Sequence, residues 1–166
     1  MGLGMPLPEE LLDLARQISD LDQQNQAGLR RAVSTAYYGL FHLLVTEATA
    51  NWSRAELRPL LGRFFEHGSM RSASSVLAAE HNKLMKTDPP ESAELTVAKR
   101  LNIVATTFAQ AQQARNTADY DVAALLNHDE VLQQIASVST AFESWKAVRD
   151  EPVAQSFLVS MLARKR

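Results

Sequence analysis

Cysteine is absent from the chain, which excludes disulfides, zinc ribbons, iron–sulfur clusters and thiol nucleophiles together. Glycine and proline are sparse, six of each in 166 residues. Gly2 and Gly4 stand isolated at the terminus, so no glycine-rich loop is available to cradle a phosphate. Apolar runs are broken by polar residues well short of the roughly 20 positions that a membrane-crossing helix requires. The start, Met1-Gly2-Leu3-Gly4-Met5-Pro6, lacks the basic opening and apolar stretch of a secretory leader. These absences lead to the expectation of a cytoplasmic protein with no membrane contact. Neither sign of charge dominates, the formal net charge being −2, so no global positive field draws polyanions, although a local basic patch still could. His42, His67, His81 and His128 show no metal-ligand spacing and no His-Glu-x-x-His occurs, so neither metal nor cofactor is expected.

What remains is apolar content at 46%, ordinary for a folded domain, in a chain long enough to bury roughly two-thirds of its unfolded surface. The alternation typical of strands is missing, whereas helical periodicity runs almost throughout. A first helix from Pro8 should bury Leu11, Leu12, Ala15, Ile18 and Leu21, with Gly28 as the break. The segment from about 29 to 51 is the most apolar: Val33, Ala36, Leu40 and Leu44 form a stripe widened by Tyr37, Phe41 and Val45. A helix apolar around most of its girth belongs at the centre of a bundle.

Between 53 and 87 the spacing of Leu57, Leu60, Leu61, Phe64 and Phe65 is helical, with Pro59 starting or kinking it. Gly68 and Ser69 should separate this from a helix carrying Met70, Ala73, Val76, Leu77 and Leu84. Asp88-Pro89-Pro90 is a stop and restart, followed by a long helix from about 91 to 120. Asn127 or Asp129 can cap the next, whose stripe is Val131, Ile135, Val138, Phe142 and Trp145. Beyond Glu151-Pro152 a last helix, 152 to 165, carries Phe157, Leu158, Met161 and Leu162. Trp52 and Trp145 read as core or interface. The expected fold is all-α: one domain over 1–166, core about 8–150, an up-and-down bundle of four to five main helices plus short extra ones.

One position breaks the pattern. The seam Leu101, Val104, Phe108, Ala111 continues onto Arg115, where the period calls for an apolar residue. Arg115 and Asp119 are four apart, as are Asn116 and Tyr120, so each pair shares a helix face. An exposed salt bridge in that position stabilises by only about 0.3–0.5 kcal/mol. The alternative is a planar cation, oriented by Asp119, offered to a phosphate. On the central helix Arg31, Ser34, Tyr38 and His42 form a polar line that is either a solvated face or one wall of a shared cleft.

The stretch Leu29-Arg30-Arg31-Ala32-Val33-Ser34-Thr35-Ala36-Tyr37-Tyr38-Gly39-Leu40-Phe41-His42 resembles the central-helix signature of HEPN domains. Ala114-Arg115-Asn116-Thr117-Ala118-Asp119-Tyr120-Asp121 resembles their second signature, in the variant of small HEPN proteins ending Ala-Asp-Tyr. The likeness covers about residues 8 to 150, with the two motifs in the expected order. It implies a bundle of four or five helices, commonly a homodimer whose arginine motifs face a shared groove. Many such proteins are metal-independent ribonucleases, several of them toxins neutralised by a small nucleotidyltransferase; others bind RNA or nucleotides.

In nuclease members a histidine follows the arginine after four to six residues, but Tyr120, Asp121 and Val122 occupy those positions here. RNA cleavage without metal needs a base and an acid, roles that histidine fills near neutrality and tyrosine, with its pKa near 10, does not. The resemblance therefore implies RNA or nucleotide binding without strong nuclease activity. Arg115 would contact phosphate, Asn116 hydrogen-bond ligand or backbone, Asp119 fix the arginine, and Tyr120 stack or donate. Arg31, Tyr38 and His42 would line the opposite wall. A ribonuclease toxin using Arg115 and Tyr120, with His42 as a stand-in imidazole, and a purely structural or adaptor module are the alternatives.

Overall fold

Helical periodicity is realised as seven α-helices among the described residues: α1 Leu7–Leu21, α2 Gln26–Ala50, α3 Arg58–Gly62, α4 His67–Thr87, α5 Ala93–Tyr120, α6 His128–Val148 and α7 Pro152–Ser160. A 3-10 turn, Ala55–Leu57, leads into α3. A computed structural model describes residues 4–21, 23–87 and 92–162, none of them in a strand. Five of these helices are long, as an all-helical bundle of four to five main helices requires. The expected stop at Asp88-Pro89-Pro90, the start near Glu91 and the tail beyond Leu162 lie outside the described residues.

Local chemistry sets several boundaries. The Asn25 side chain accepts from Gly28 N–H at 3.1 Å and opens α2. Gly28 is therefore inside the first turn and not the break, which falls instead just before the cap. Ser92 accepts from Leu95 N–H to open α5, and Asn127, the first of the two expected caps, accepts from the amides of Asp129 and Glu130 to open α6. Each cap satisfies amides that the first helical turn leaves without partners.

Helix α2 lies at the centre, packed against α1, α5 and α6, while α4 rests on α5 and touches α7. Tyr37, Leu40 and Leu44 from α2, Phe108 from α5, and Phe142 and Trp145 from α6 meet in one continuous cluster with no access to water. Val131, Ile135 and Val138 are buried with them. Gly39 permits the close approach of α1, because a Cβ there would lie 3.2 Å from the Pro8 carbonyl oxygen.

Other expectations are corrected. Leu21, the last residue of α1, is exposed; Ser19, bonded to the Arg16 carbonyl, is buried instead. Gly68 and Ser69 do not separate two helices, since α4 begins at His67 and runs through them. Leu57, Leu60, Phe64 and Val76 are exposed although they keep helical spacing; only Phe65 and Met70 of that segment's large apolar residues reach full burial. Its helix α3 is a single short turn with Pro59 at its start, too brief to direct a stripe inward. Trp52 and Leu162 are likewise exposed, whereas Trp145 is core. No helix among the described residues is long and apolar enough to cross a membrane.

Candidate functional site

The seam of α5 runs from buried Leu101, Val104 and Phe108 through half-buried Ala111 to Arg115, which meets α2 at Tyr38. The side chains of Arg115 and Asp119 keep only 15% and 22% of their surface exposed. The guanidinium is thus covered by its immediate neighbours without lying deep in the bundle. One terminal nitrogen donates to the Tyr38 hydroxyl at 2.9 Å and the other to Asn116 Oδ1 at 3.2 Å. Nε lies 2.8 Å from Asp119 Oδ2, an ion-pair contact whose angle falls short of a hydrogen bond. The rings of Tyr38 and Tyr120 each place their centroid 5.5 Å from Arg115 Cζ, within reach of a cation–π attraction.

A guanidinium has five N–H donors. Three face these partners, which leaves one N–H on each terminal nitrogen. Charged donors of that kind suit the oxygens of a phosphate or carboxylate. Because the Tyr38 oxygen accepts from Arg115, its own O–H is left to donate outward. Burial pulls the Arg115 pKa down, but Tyr38, Asp119 and Tyr120 outweigh it and raise the pKa above its ordinary value. The side chain stays cationic at every pH a ligand would meet.

The surrounding backbone is fixed from α2. Ser34 donates to Asp119 Oδ2 at 3.4 Å. Arg30 donates to the carbonyls of Ala118, Asp121 and Ala124, closing the unsatisfied end of α5 as a cationic cap. Gln26 grips Leu126 in both directions, donating to its carbonyl and accepting from its amide, each at 2.8 Å. The α5–α6 connection is therefore held against the start of α2.

A second layer comes from α4. His67, its first residue, has Nδ1 hydrogen-bonded to the buried Tyr37 hydroxyl. The ring of His67 lies 4.5 Å from Phe41 and meets Tyr38 edge-on at 6.0 Å, centroid to centroid. His42 completes the array, 6.4 Å from Tyr38 and edge-on to Phe41. Burial lowers the pKa of His67, helped by the positive charge of Arg115 and by His42. Burial alone lowers His42. Burial raises Tyr37 well above its ordinary value, with Tyr38 adding and Arg115 opposing. Tyr37 therefore keeps its proton. A buried hydroxyl without an acceptor costs about 1–3 kcal/mol, so Tyr37 donates to Nδ1 and the ring proton of neutral His67 resides on Nε2.

Of the residues singled out from sequence, Arg115, Asn116, Asp119, Tyr38 and Tyr120 are brought together, with His42 adjoining through Tyr38. Asn116 turns to Arg115 and not to Tyr120, which is 70% exposed at the rim. Arg31 is exposed and forms no hydrogen bond or ion pair with this cluster among the described residues, so that part of the expected wall is not assembled. His67, Tyr37 and Arg30 went unassigned. Tyr37 reads from spacing as core, which it also is, and nothing local to His67 marks it, because its partners are 26 to 30 positions away in the chain. Among the described residues no three His, Asp or Glu side chains gather as metal ligands. No family model, curated protein or solved structure matches the chain.

Proposed function

We propose that this chain is a HEPN-like domain that acts in the cytoplasm by binding the phosphate of RNA or of a nucleotide through Arg115. One observation carries the reading: a seam arginine is gripped by Tyr38, Asn116 and Asp119, and by donor count one N–H on each terminal nitrogen has no acceptor among the described residues. Tyr38 contributes a hydroxyl, His67 an Nε2–H donor and Tyr120 an exposed ring on which a base can stack. The net charge of the chain is immaterial, since recognition rests on this local array. Val122 and Leu125 are exposed just beyond the end of α5, and a second copy of the chain, the partner that the resemblance implies, would cover them. A nucleotidyltransferase-type antitoxin is the further partner implied.

Fluorescence titration with short RNA and with ATP tests the reading. Arg115→Ala is expected to abolish both, and Arg115→Lys to restore little, since an ammonium lacks the planar fork. Equal affinity for wild type and Arg115→Ala removes the binding role. If that variant instead loses only thermal stability or dimerisation, the cluster is structural and the module an adaptor.

A metal-independent ribonuclease toxin is the second reading, and His67 is what favours it: an imidazole packed edge-on against Tyr38, the residue that holds Arg115, where the motif itself has none. In such cleavage the 2′-oxygen attacks phosphorus and yields its proton to a base, while the departing 5′-oxygen takes a proton from an acid. His67 held with its proton on Nε2 offers a donor and not a base lone pair, which supports binding over cleavage. Growth arrest on expression, lost in both Arg115→Ala and His67→Ala, would reverse that preference. Intact cellular RNA and normal growth would end it.

A further inference from the structure

The α2–α3 face continues from the Arg115 cluster into a groove of about 510 Å³ lined in part by Phe41, His42, Thr46, Arg58 and Arg63. No Asp or Glu lines it. Arg58 donates through Nε to the Trp52 carbonyl at 3.0 Å and through a terminal nitrogen to the Ala50 carbonyl at 3.1 Å. Its charge is thereby anchored at the end of α2. Arg63 is exposed and has no ion-pair partner among the described residues. Outside the lining itself, Phe64, next to Arg63 in the chain, and Trp52, whose carbonyl Arg58 holds, expose their rings at 59% and 50%. A lone exposed apolar side chain needs no explanation, but arginines interleaved with open rings form the pattern that single strands use, phosphates on the cations and bases on the rings.

The groove is not separate from the phosphate site. Phe41 and His42 line it and also meet Tyr38 and His67, and Tyr38 in turn holds Arg115. One layer of side chains links the two cationic centres along a single face. We propose that the α2–α3 groove carries the neighbouring nucleotides of the ligand whose phosphate meets Arg115, which makes that ligand a single-stranded oligonucleotide and not a mononucleotide. This rests on the phosphate reading of Arg115 and assigns residues 52–64 a recognition role. A carboxylate-free wall with two arginines suits a polyanion better than the apolar face of a protein helix.

The test uses the full chain, a fluorescein-labelled 12-nucleotide RNA, the DNA of the same sequence, and ATP. Arg63→Ala and Phe64→Ala alter exposed side chains, and thermal melting confirms that each remains folded. Each variant is expected to weaken oligonucleotide binding roughly tenfold while leaving ATP unchanged, and Arg63→Ala to flatten the salt dependence by about 0.7 in log–log slope. The RNA and DNA arms tell which strand the groove takes; dependence on Arg63 in either sustains the inference. An oligonucleotide that needs Arg115 but binds the Arg63 and Phe64 variants like wild type overturns the groove and leaves the phosphate reading standing. So does a change in sedimentation of those variants without a change in oligonucleotide affinity, which would make this face a contact between copies. Failure of wild type to bind either oligonucleotide removes the groove, and failure to bind ATP as well removes the phosphate reading with it.

Discussion

Helices α2, α5 and α6 differ in kind from the segment 52–87. In the first region, apolar residues at helical spacing become core: Leu40, Leu44, Phe108, Phe142 and Trp145 are buried to within 1% of their surface. In the second, equally regular spacing leaves Leu57, Leu60, Phe64 and Val76 exposed. Periodicity states that a helix has an apolar face; it does not supply a partner for that face. Three long helices present stripes to one another, whereas α3 is too short and α4 leans mainly on α5. The second region nevertheless delivers His67, Arg58 and Arg63 to the central helix.

The widest gap between the regions should appear on truncation. Trp145→Ala is expected to cost about 3–5 kcal/mol, as removal of a large buried aromatic does, and urea denaturation reads it; a loss below 1 kcal/mol would mean that the core is not continuous. Arg30→Met should come next, at about 2 kcal/mol, because three backbone carbonyls at the end of α5 lose a charged donor. Hydrogen exchange should then quicken across 118–126 while α4 is unchanged. Tyr37→Phe, which joins the regions through His67, should cost about 1 kcal/mol. Exchange unaltered at the start of α4 would show that the Tyr37–His67 bond does not tether that helix.

A smaller and opposite-signed handle is pH. His67 and His42 have folded pKa values below the unfolded 6.5, so the unfolded chain takes up protons first as pH falls. Their contribution is present above pH 6.5 and is lost as acid titrates through the lowered values. Around them stand Arg115, held cationic, and Tyr37, held protonated, and neither changes charge in that window. Melting temperature should therefore fall from pH 7 to 5, and less steeply in His67→Asn. Smallest of all, Leu60→Ala should shift stability by no more than about 0.5 kcal/mol; a larger loss would place α3 in the core after all.

The site was legible where its signal lay within one helix. Arg115 interrupting an apolar seam marks itself, and Asp119 follows at one turn. Tyr38 and Ser34 were visible as a polar line on α2, although that line could equally have faced water. Arg31 belongs to the same line, within about 20° of Tyr38 and His42 around the helix, yet it is exposed, so a shared face did not by itself bring it into the cluster. Arg30, one residue away and unmarked, turns out to lock the end of α5. Leu21 was misplaced because the helix stops there, and Gly28 because a nearby asparagine cap overrides a glycine as a boundary signal.

By itself the sequence determined that the chain is all helix, where most helices begin, and that a cation occupies a position meant for an apolar side chain. Those properties follow from short-range rules: spacing, caps and the intolerance of a core for charge. Only the tertiary structure decided that Tyr38 receives Arg115, that Tyr37 binds His67, and that Arg58 and Arg63 share a groove with His42. Each of those contacts joins residues far apart in the chain, and packing between helices, which no local pattern encodes, sets which faces meet.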